Sequence, residues 1–286
     1  MHAYLRLFRP QQWVKNLFVA AALFFTPGAM SWLAVREAAL GVALFCCAAS
    51  AVYVLNDALD RASDRQHPLK RHRPLASGAA RLDLALGLAA LLLAAAAAGG
   101  YLLAPAFGHW IVAYLALNLA YSLGLKHLAI LDVMTIAVCF VLRLEAGAAL
   151  IAAEPSVWIV LCTFLLALFL AVAKRRDDVV GLLGREHRRS LEGYNKPFLD
   201  AALIVVLAAL MVFYALYTTD REVMERLGSD QLYLSVPLVL AGCLRYLQIT
   251  LVEERSGAPT EVLLRDPSLL LTVAAWVALM GFLIYG

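Results

Sequence analysis

The chain has 286 residues, 63% of them hydrophobic and 16% charged, with a formal net charge of +3. Soluble domains are about half apolar and a quarter charged, so this composition excludes one. The basic residues are dispersed beside apolar stretches and form no single patch, which excludes a nucleic-acid binder.

Apolar stretches at 14–34, 37–56, 82–104, 106–124, 128–152, 156–173, 199–218, 231–250 and 268–285 approach the ~20 residues that cross a bilayer. They predict an all-α integral membrane protein with nine transmembrane helices, forming one polytopic domain over 1–286. Arg6, Arg9, Lys15 and Asn16 lie ahead of or within the start of the first stretch, and no small-residue cleavage site follows it. It is expected to be a retained span and not a signal peptide. Gln12-Trp13-Val14-Lys15-Asn16 puts an amphipathic aromatic and a cation at the interface.

The second stretch runs into Asn56-Asp57-Ala58-Leu59-Asp60-Arg61-Ala62-Ser63-Asp64. In a continuing helix Asn56, Asp60 and Asp64 stack at i, i+4 and i+8, with Asp57 joining the same stripe. Carboxylates in one row repel unless a cation lies among them, and oxygen-only ligands favour Mg²⁺ or Ca²⁺ over zinc. Lys70, Arg71 and Arg73 follow as phosphate-binding charge, while His67 and His72 read as loop residues. Tyr121, Ser122 and Lys126 end the fourth span. Within the fifth, Asp132, Arg143 and Glu145 are ionisable groups in a membrane segment and hence functional candidates. Asp132 and Arg143 lie almost three turns apart on nearly one face, where Arg143 either pairs internally with a carboxylate or lines a polar cavity.

Lys174-Arg175-Arg176-Asp177-Asp178 leaves the sixth span much as the Asn56 run leaves the second. Lys174, Arg175 and Asp178 suit a phosphate and its metal, whereas Arg185, Arg188 and Arg189 read as topology anchors. The five cysteines sit inside spans without metal-ligand spacing and are expected as packing residues. Nine spans gather the N-terminus and the connections 57–81, 125–127, 174–198 and 251–267 on one face. Only Arg36, Arg221 and Arg226 fall on the other face and Arg143 inside a span, so the remaining 20 of 24 Lys and Arg share the first. The positive-inside rule then puts the N-terminus and the acidic run in the cytoplasm and the C-terminus across the cell (inner) membrane.

Carboxylates, a divalent ion and cations together suit departure of a diphosphate from a carbon able to carry positive charge. Two carbons qualify: the allylic C1 of a prenyl diphosphate and C1 of a ribosyl diphosphate. A cation-coupled transporter or flippase would place its acids near the midplane on broken helices, and these lie at span ends.

The run Asn-Asp-x-x-Asp-x-x-x-Asp at 56–64 on nine spans resembles the UbiA superfamily of intramembrane transferases. Further matching segments are Arg9-Pro10-x-Gln12-Trp13-x-Lys15-Asn16, His67-Pro68-x-Lys70-x-x-Arg73-Pro74-x-x-x-Gly78, Tyr121-Ser122-x-x-Leu125-Lys126 and Leu142-Arg143-x-x-Ala146-Gly147. Lys174-Arg175, Ser190-Leu191-x-x-Tyr194, Arg245-Tyr246 and 261–266 continue the likeness. It is closest to the branch that moves 5-phosphoribose from phosphoribosyl diphosphate (PRPP) to a polyprenyl phosphate. The wider family implies a nine-span helical bundle with a cytoplasmic polar cap, acting with Mg²⁺ on a prenyl diphosphate and an aromatic acceptor. Those members carry a second Asp-x-x-x-Asp, but here Asp177 and Asp178 are followed at i+4 by Gly181 and Leu182, which favours the PRPP branch.

On that likeness Asn56, Asp57, Asp60, Asp64 and Asp178 are the expected metal ligands. Lys70, Arg73, Lys126, Lys174 and Arg175 neutralise donor phosphates, Lys15 and Arg143 meet the lipid phosphate, and Tyr121 and Tyr194 join the substrate site. Membrane lipids surround the bundle, and its Ala- and Gly-rich surfaces suit a homo-oligomer.

Overall fold

A computed structural model describes residues 2–68, 70–181 and 189–286, and every regular element among them is helical. The α-helices are α1 (His2–Leu7), α2 (Phe18–Phe24), α3 (Trp32–Leu59), α4 (Arg61–Gln66), α5 (Leu82–Leu103), α6 (Pro105–Leu123) and α7 (Leu131–Leu150). They continue with α8 (Val157–Val180), α9 (Lys196–Thr219), α10 (Arg221–Leu227), α11 (Val236–Leu251), α12 (Pro259–Arg265) and α13 (Pro267–Tyr285). Eight helices among the described residues are long and apolar enough to cross a membrane: α3, α5, α6, α7, α8, α9, the stretch Leu232–Leu251 containing α11, and α13. The chain is a multi-pass membrane protein. Side chains start several helices cleanly. Ser31, Ser156, Asn195 and Asp266 each accept an N–H from the first turn of α3, α8, α9 and α13.

The first expected span, 14–34, is not one helix. It divides into a 3₁₀ helix (Pro10–Leu17), α2 and a short 3₁₀ turn (Pro27–Ala29). Pro10 and Pro27 supply no amide hydrogen, and Arg9 ahead of Pro10 takes a left-handed φ of 51°. The segment nonetheless runs antiparallel along α3. Arg9 meets Asp57, Trp13 Nε1 donates to Ser50 Oγ at 3.1 Å, and Asn16 Nδ2 donates to Cys46 Sγ at 3.2 Å. Leu23 packs with Ala34 and Ala38. The three-residue period of a 3₁₀ helix explains the start of this row, because Trp13 and Asn16 then lie one above another against α3, and Val19 follows in α2. From Asp57 to Ala38 the row covers about 28 Å of helix, close to the bilayer's hydrocarbon thickness.

Two compact units divide the chain: residues 1–24, 29–127 and 142–154 in the first, and 25–28, 128–141 and 155–286 in the second. In the first, small side chains bring α3 and α5 together through Ala51, Ala85 and Ala89, beside Leu7, Val54 and Leu75. In the second, Phe169, Val172, Leu199, Leu203, Tyr246 and Ile249 form the core of α8, α9 and α11.

Gly147 is the point where packing tolerates least. A Cβ built there would fall inside the van der Waals shell of the Val19 carbonyl, whereas one at Gly281 meets nothing within 4 Å. Gly147→Ala is expected to cost about 1–3 kcal/mol and to lower the thermal unfolding midpoint in detergent, while Gly281→Ala leaves it level or slightly higher. Equal midpoints for the two variants would refute this close approach.

Candidate functional site

The acidic run of the first unit lies across a kink. α3 ends at Leu59, Asp60 caps it with φ −86° and ψ 2°, and α4 resumes at Arg61. The backbone ladder persists through the kink, Asp60 N–H donating to Asn56 C=O at 2.9 Å and Asp64 N–H to Asp60 C=O at 2.8 Å. Helical stacking of the acids therefore survives with a local bend. Asp57 and Asp64 are buried, with 2% and 3% of their surface exposed, and a carboxylate so withdrawn needs a partner. Arg73 Nη1 bridges them, at 3.0 Å from Asp57 Oδ1 and 2.7 Å from Asp64 Oδ2. Arg9 Nη2 adds a 2.6 Å contact to Asp57 Oδ1 while its guanidinium lies over the Tyr53 ring. Asp60 is more open: it accepts Lys126 Nζ at 2.6 Å and Asn56 Nδ2 at 3.1 Å, and its side chain is 29% exposed. Arg61 and Arg65 donate to the carbonyls of Leu75 and Ala76, which fixes the loop that delivers Arg73.

The second unit holds its own acid–base network at the end of α8. Arg175 Nε donates to Asp132 Oδ2 at 2.6 Å and Arg175 Nη1 to Asp178 Oδ2 at 2.8 Å. Asp132 is fully buried and also accepts the Tyr194 hydroxyl at 2.6 Å. Burial, and then the hydrogen bond to Asp132, push the Tyr194 phenol above its ordinary pKa. Arg176 faces elsewhere, with Nε on Asp200 Oδ1 and Nη1 on the Thr250 carbonyl, both at 2.7 Å. Farther along, Arg245 forks onto Asp266, and hydrogen bonding to that guanidinium holds the Asp266 carboxyl below its usual range.

Residues 16–181 match the model of the UbiA prenyltransferase family. The chain belongs to that family. It is 32% identical over 289 residues to a decaprenyl-phosphate phosphoribosyltransferase of Mycolicibacterium smegmatis, covering 97% of this chain and 91% of that one. A protein of the same name in Corynebacterium glutamicum is 33% identical, with 98% and 86% covered. The structure of a UbiA homolog from Archaeoglobus fulgidus bound to GPP and Mg²⁺ superposes with a TM-score of 0.76 at 21% identity, over 99% of this chain and 100% of that one. Such a match shares the fold.

In this UbiA chain the expected site residues gather within each unit. In the first unit they form two linked groups, Asn56–Asp60–Lys126 and Asp57–Arg73–Asp64, and in the second Arg175 meets Asp178 directly and Tyr194 through Asp132. Lys70 lies in a 3₁₀ turn with its backbone N–H on His67 Nδ1, and Lys15, Tyr121 and Lys174 are half-buried on their helices. Arg143 is not the partner of Asp132, which pairs with Arg175. Instead Arg143 Nε donates to Asn16 Oδ1 at 2.9 Å and Nη2 to Tyr114 Oη at 3.0 Å. Asn16 borders Cys46, about 16 Å along α3 from Asp57, so Arg143 pins the discontinuous first segment well below the acids. Arg175 and Tyr194 likewise spend their polar atoms on protein groups. Arg185 and Arg188 lie outside the described residues. Arg9 was absent from the expected set; its place in Arg9-Pro10-x-Gln12-Trp13 was the available signal. Among the described residues, no three His, Cys, Asp or Glu side chains stand together as a ready metal cage.

Arg73→Ala strips Asp64 of a cation and is expected to cost about 1–3 kcal/mol, less than a wholly buried pair because Arg73 is partly exposed. Adding Asp64→Asn should recover part of that loss. A double variant that melts no higher than the single one would show that charge burial is not the cause.

Proposed function

We propose that this chain transfers 5-phosphoribose from PRPP to a polyprenyl phosphate, with Mg²⁺ and with release of diphosphate. The observation that carries the reading is the near full-length similarity to decaprenyl-phosphate phosphoribosyltransferases. Sequence supports the donor as well, since the residue four after Asp177, just past the end of α8, is Gly181 and not a second spaced aspartate.

The side chains present fit a hard divalent cation. Asn56 and Asp60 are joined on adjacent turns, supply oxygen ligands, and Asp60 is partly open. Mg²⁺ is ordinarily held by one or two carboxylates with substrate phosphates and waters, so a three-acid cage is not required. When bound, the ion neutralises charge on the departing diphosphate. Asp57 and Asp64 hold Arg73 in place, and Arg73 and Lys126 supply positive charge to the donor's phosphates at the moment the ribose C1–O bond breaks. A lipid-phosphate oxygen then forms the new bond to C1. That phosphate is already ionised at neutral pH, so the reaction requires no strong general base. Lys70 and Lys15 are further phosphate contacts in the first unit, with Tyr121 lining the substrate site. In the second unit Asp178 and Lys174 are a carboxylate and a cation of the types that diphosphate chemistry uses.

Purified protein in detergent with labelled PRPP, polyprenyl phosphate and Mg²⁺ should yield labelled lipid. Asp60→Asn should lower kcat by about 10²-fold or more while the protein still folds, its melting midpoint somewhat lowered because the buried Lys126 loses its carboxylate partner. Absence of labelled lipid, alongside prenylation of an aromatic acceptor from a prenyl diphosphate, would overturn the proposal.

The acids and the N-terminus face the cytoplasm of the cell membrane in this reading. Arg9 on Asp57 keeps α1 at the acidic end of α3, and the 9–24 segment serves as a ninth crossing that leaves the C-terminus on the opposite face. A cysteine placed at Ser63 should react with impermeant maleimide only after cells are opened; reaction in intact cells would reverse the orientation.

A further inference from the structure

Asp60 is the partly open acid of the 56–64 run, and both of its carboxylate oxygens are engaged by the protein itself. Lys126 Nζ lies 2.6 Å from Oδ1, and Asn56 Nδ2 donates to Oδ2 at 3.1 Å. Lys126 reaches Asp60 from the 3₁₀ turn Leu125–His127, with only 8% of its side chain exposed. The other two acids of the run are paired with guanidinium groups, Asp57 with Arg9 and Arg73, and Asp64 with Arg73.

We propose that the Lys126 ammonium is an exchangeable stand-in for the divalent ion at Asp60. It leaves that carboxylate when metal and diphosphate arrive together, and then pairs with a diphosphate oxygen. This deepens the reading given above, in which Asp60 meets the ion and Lys126 the donor's phosphates, and it rests on that reading.

Competition for one carboxylate sets the first half of the exchange. Mg²⁺ sits about 2.0–2.1 Å from its oxygen ligands. On Asp60 it would crowd the ammonium and repel it, the more so where water is largely excluded. A metal arriving alone therefore has to drive Lys126 off Asp60, and a mostly buried ammonium without a counter-ion is costly. Diphosphate removes that cost. Its complex with one divalent ion keeps net negative charge, so its oxygens take the ammonium as Asp60 takes the ion. By linkage, each ligand raises the other's affinity by the same factor.

That Lys126 exchanges and Arg73 stays follows from what each would leave behind. Arg73 Nη1 bridges Asp57 and Asp64, and withdrawing it leaves the buried Asp64 carboxylate uncompensated. Lys126 leaves Asp60 to the incoming ion. Lysine also carries its charge on a flexible stem suited to changing partners, whereas a planar guanidinium suits holding two at once.

The test is binding to the purified full-length protein in detergent. Mn²⁺ is followed by electron paramagnetic resonance of the free ion, and labelled inorganic pyrophosphate by equilibrium dialysis. Wild type should bind Mn²⁺ weakly by itself and pyrophosphate only with Mn²⁺ present. Lys126→Met, which relieves Asp60 of the ammonium, should bind Mn²⁺ alone about tenfold tighter, and the benefit of added pyrophosphate should shrink. Adding Asp60→Asn should abolish that gain. If Lys126→Met does not fold, Lys126→Gln decides by the same readouts. Equal affinity for Mn²⁺ alone in wild type and the folded variant, with wild type binding Mn²⁺ and pyrophosphate together, overturns the exchange alone. A gain that survives Asp60→Asn does the same. A wild type that binds neither Mn²⁺ nor pyrophosphate when both are present overturns it together with the metal-dependent reading of function.

Discussion

A carboxylate withdrawn from water at the end of a membrane helix persists only when a cation stands against it, and that constraint organises both units. In the first, Arg9 and Arg73 oppose Asp57, Arg73 also opposes Asp64, and Lys126 opposes Asp60. In the second, Arg175 is shared between Asp132 and Asp178. Arg9, Lys126 and Arg175 come from segments distant in sequence from Asp57, Asp60 and Asp132, so those pairs fix chain connections as well as charge. Where a pair is wholly enclosed, as with Asp132 and Arg175, its removal leaves an uncompensated charge and not merely a lost contact.

The same constraint accounts for the irregular first segment. A continuous α-helix over 10–24 would turn Trp13, Asn16 and Val19 around its circumference. The 3₁₀ helix keeps Trp13 and Asn16 in one row, with Val19 following in α2, so that Trp13 reaches Ser50, Asn16 reaches Cys46 and Arg143 reaches Asn16. Intramembrane polar groups thus gain hydrogen bonds that hydrocarbon would deny them. Gly147 completes the arrangement by leaving room for the Val19 carbonyl.

Much of this was legible in the sequence. Eight of the nine expected spans coincide with long helices, because runs of Leu, Ala and Val of bilayer length admit few other structures. The acid stripe at 56–64 was readable from spacing alone, and the UbiA resemblance agrees with the family match. Hydropathy could not reveal that 14–34 divides, since apolar content is blind to the difference between 3₁₀ and α. Nor could spacing along one helix pair Asp132 with Arg175, a contact made between helices 43 residues apart. The near-alignment of Asp132 and Arg143 on α7 was real, but each finds its partners elsewhere. Arg9 stands in a quoted motif, but no spacing in the sequence pairs it with Asp57, 48 residues away.

Arg9 also ties the extreme N-terminal helix to the acidic cluster. Leu7 is fully buried beside Val54 and Leu75, and the next turn of chain delivers a guanidinium to Asp57. A handle joined to α1 is therefore close along the chain to that contact. For purification or imaging, a handle on that side is mechanically coupled to the carboxylates, and its removal belongs in any preparation whose ion affinity is to be compared.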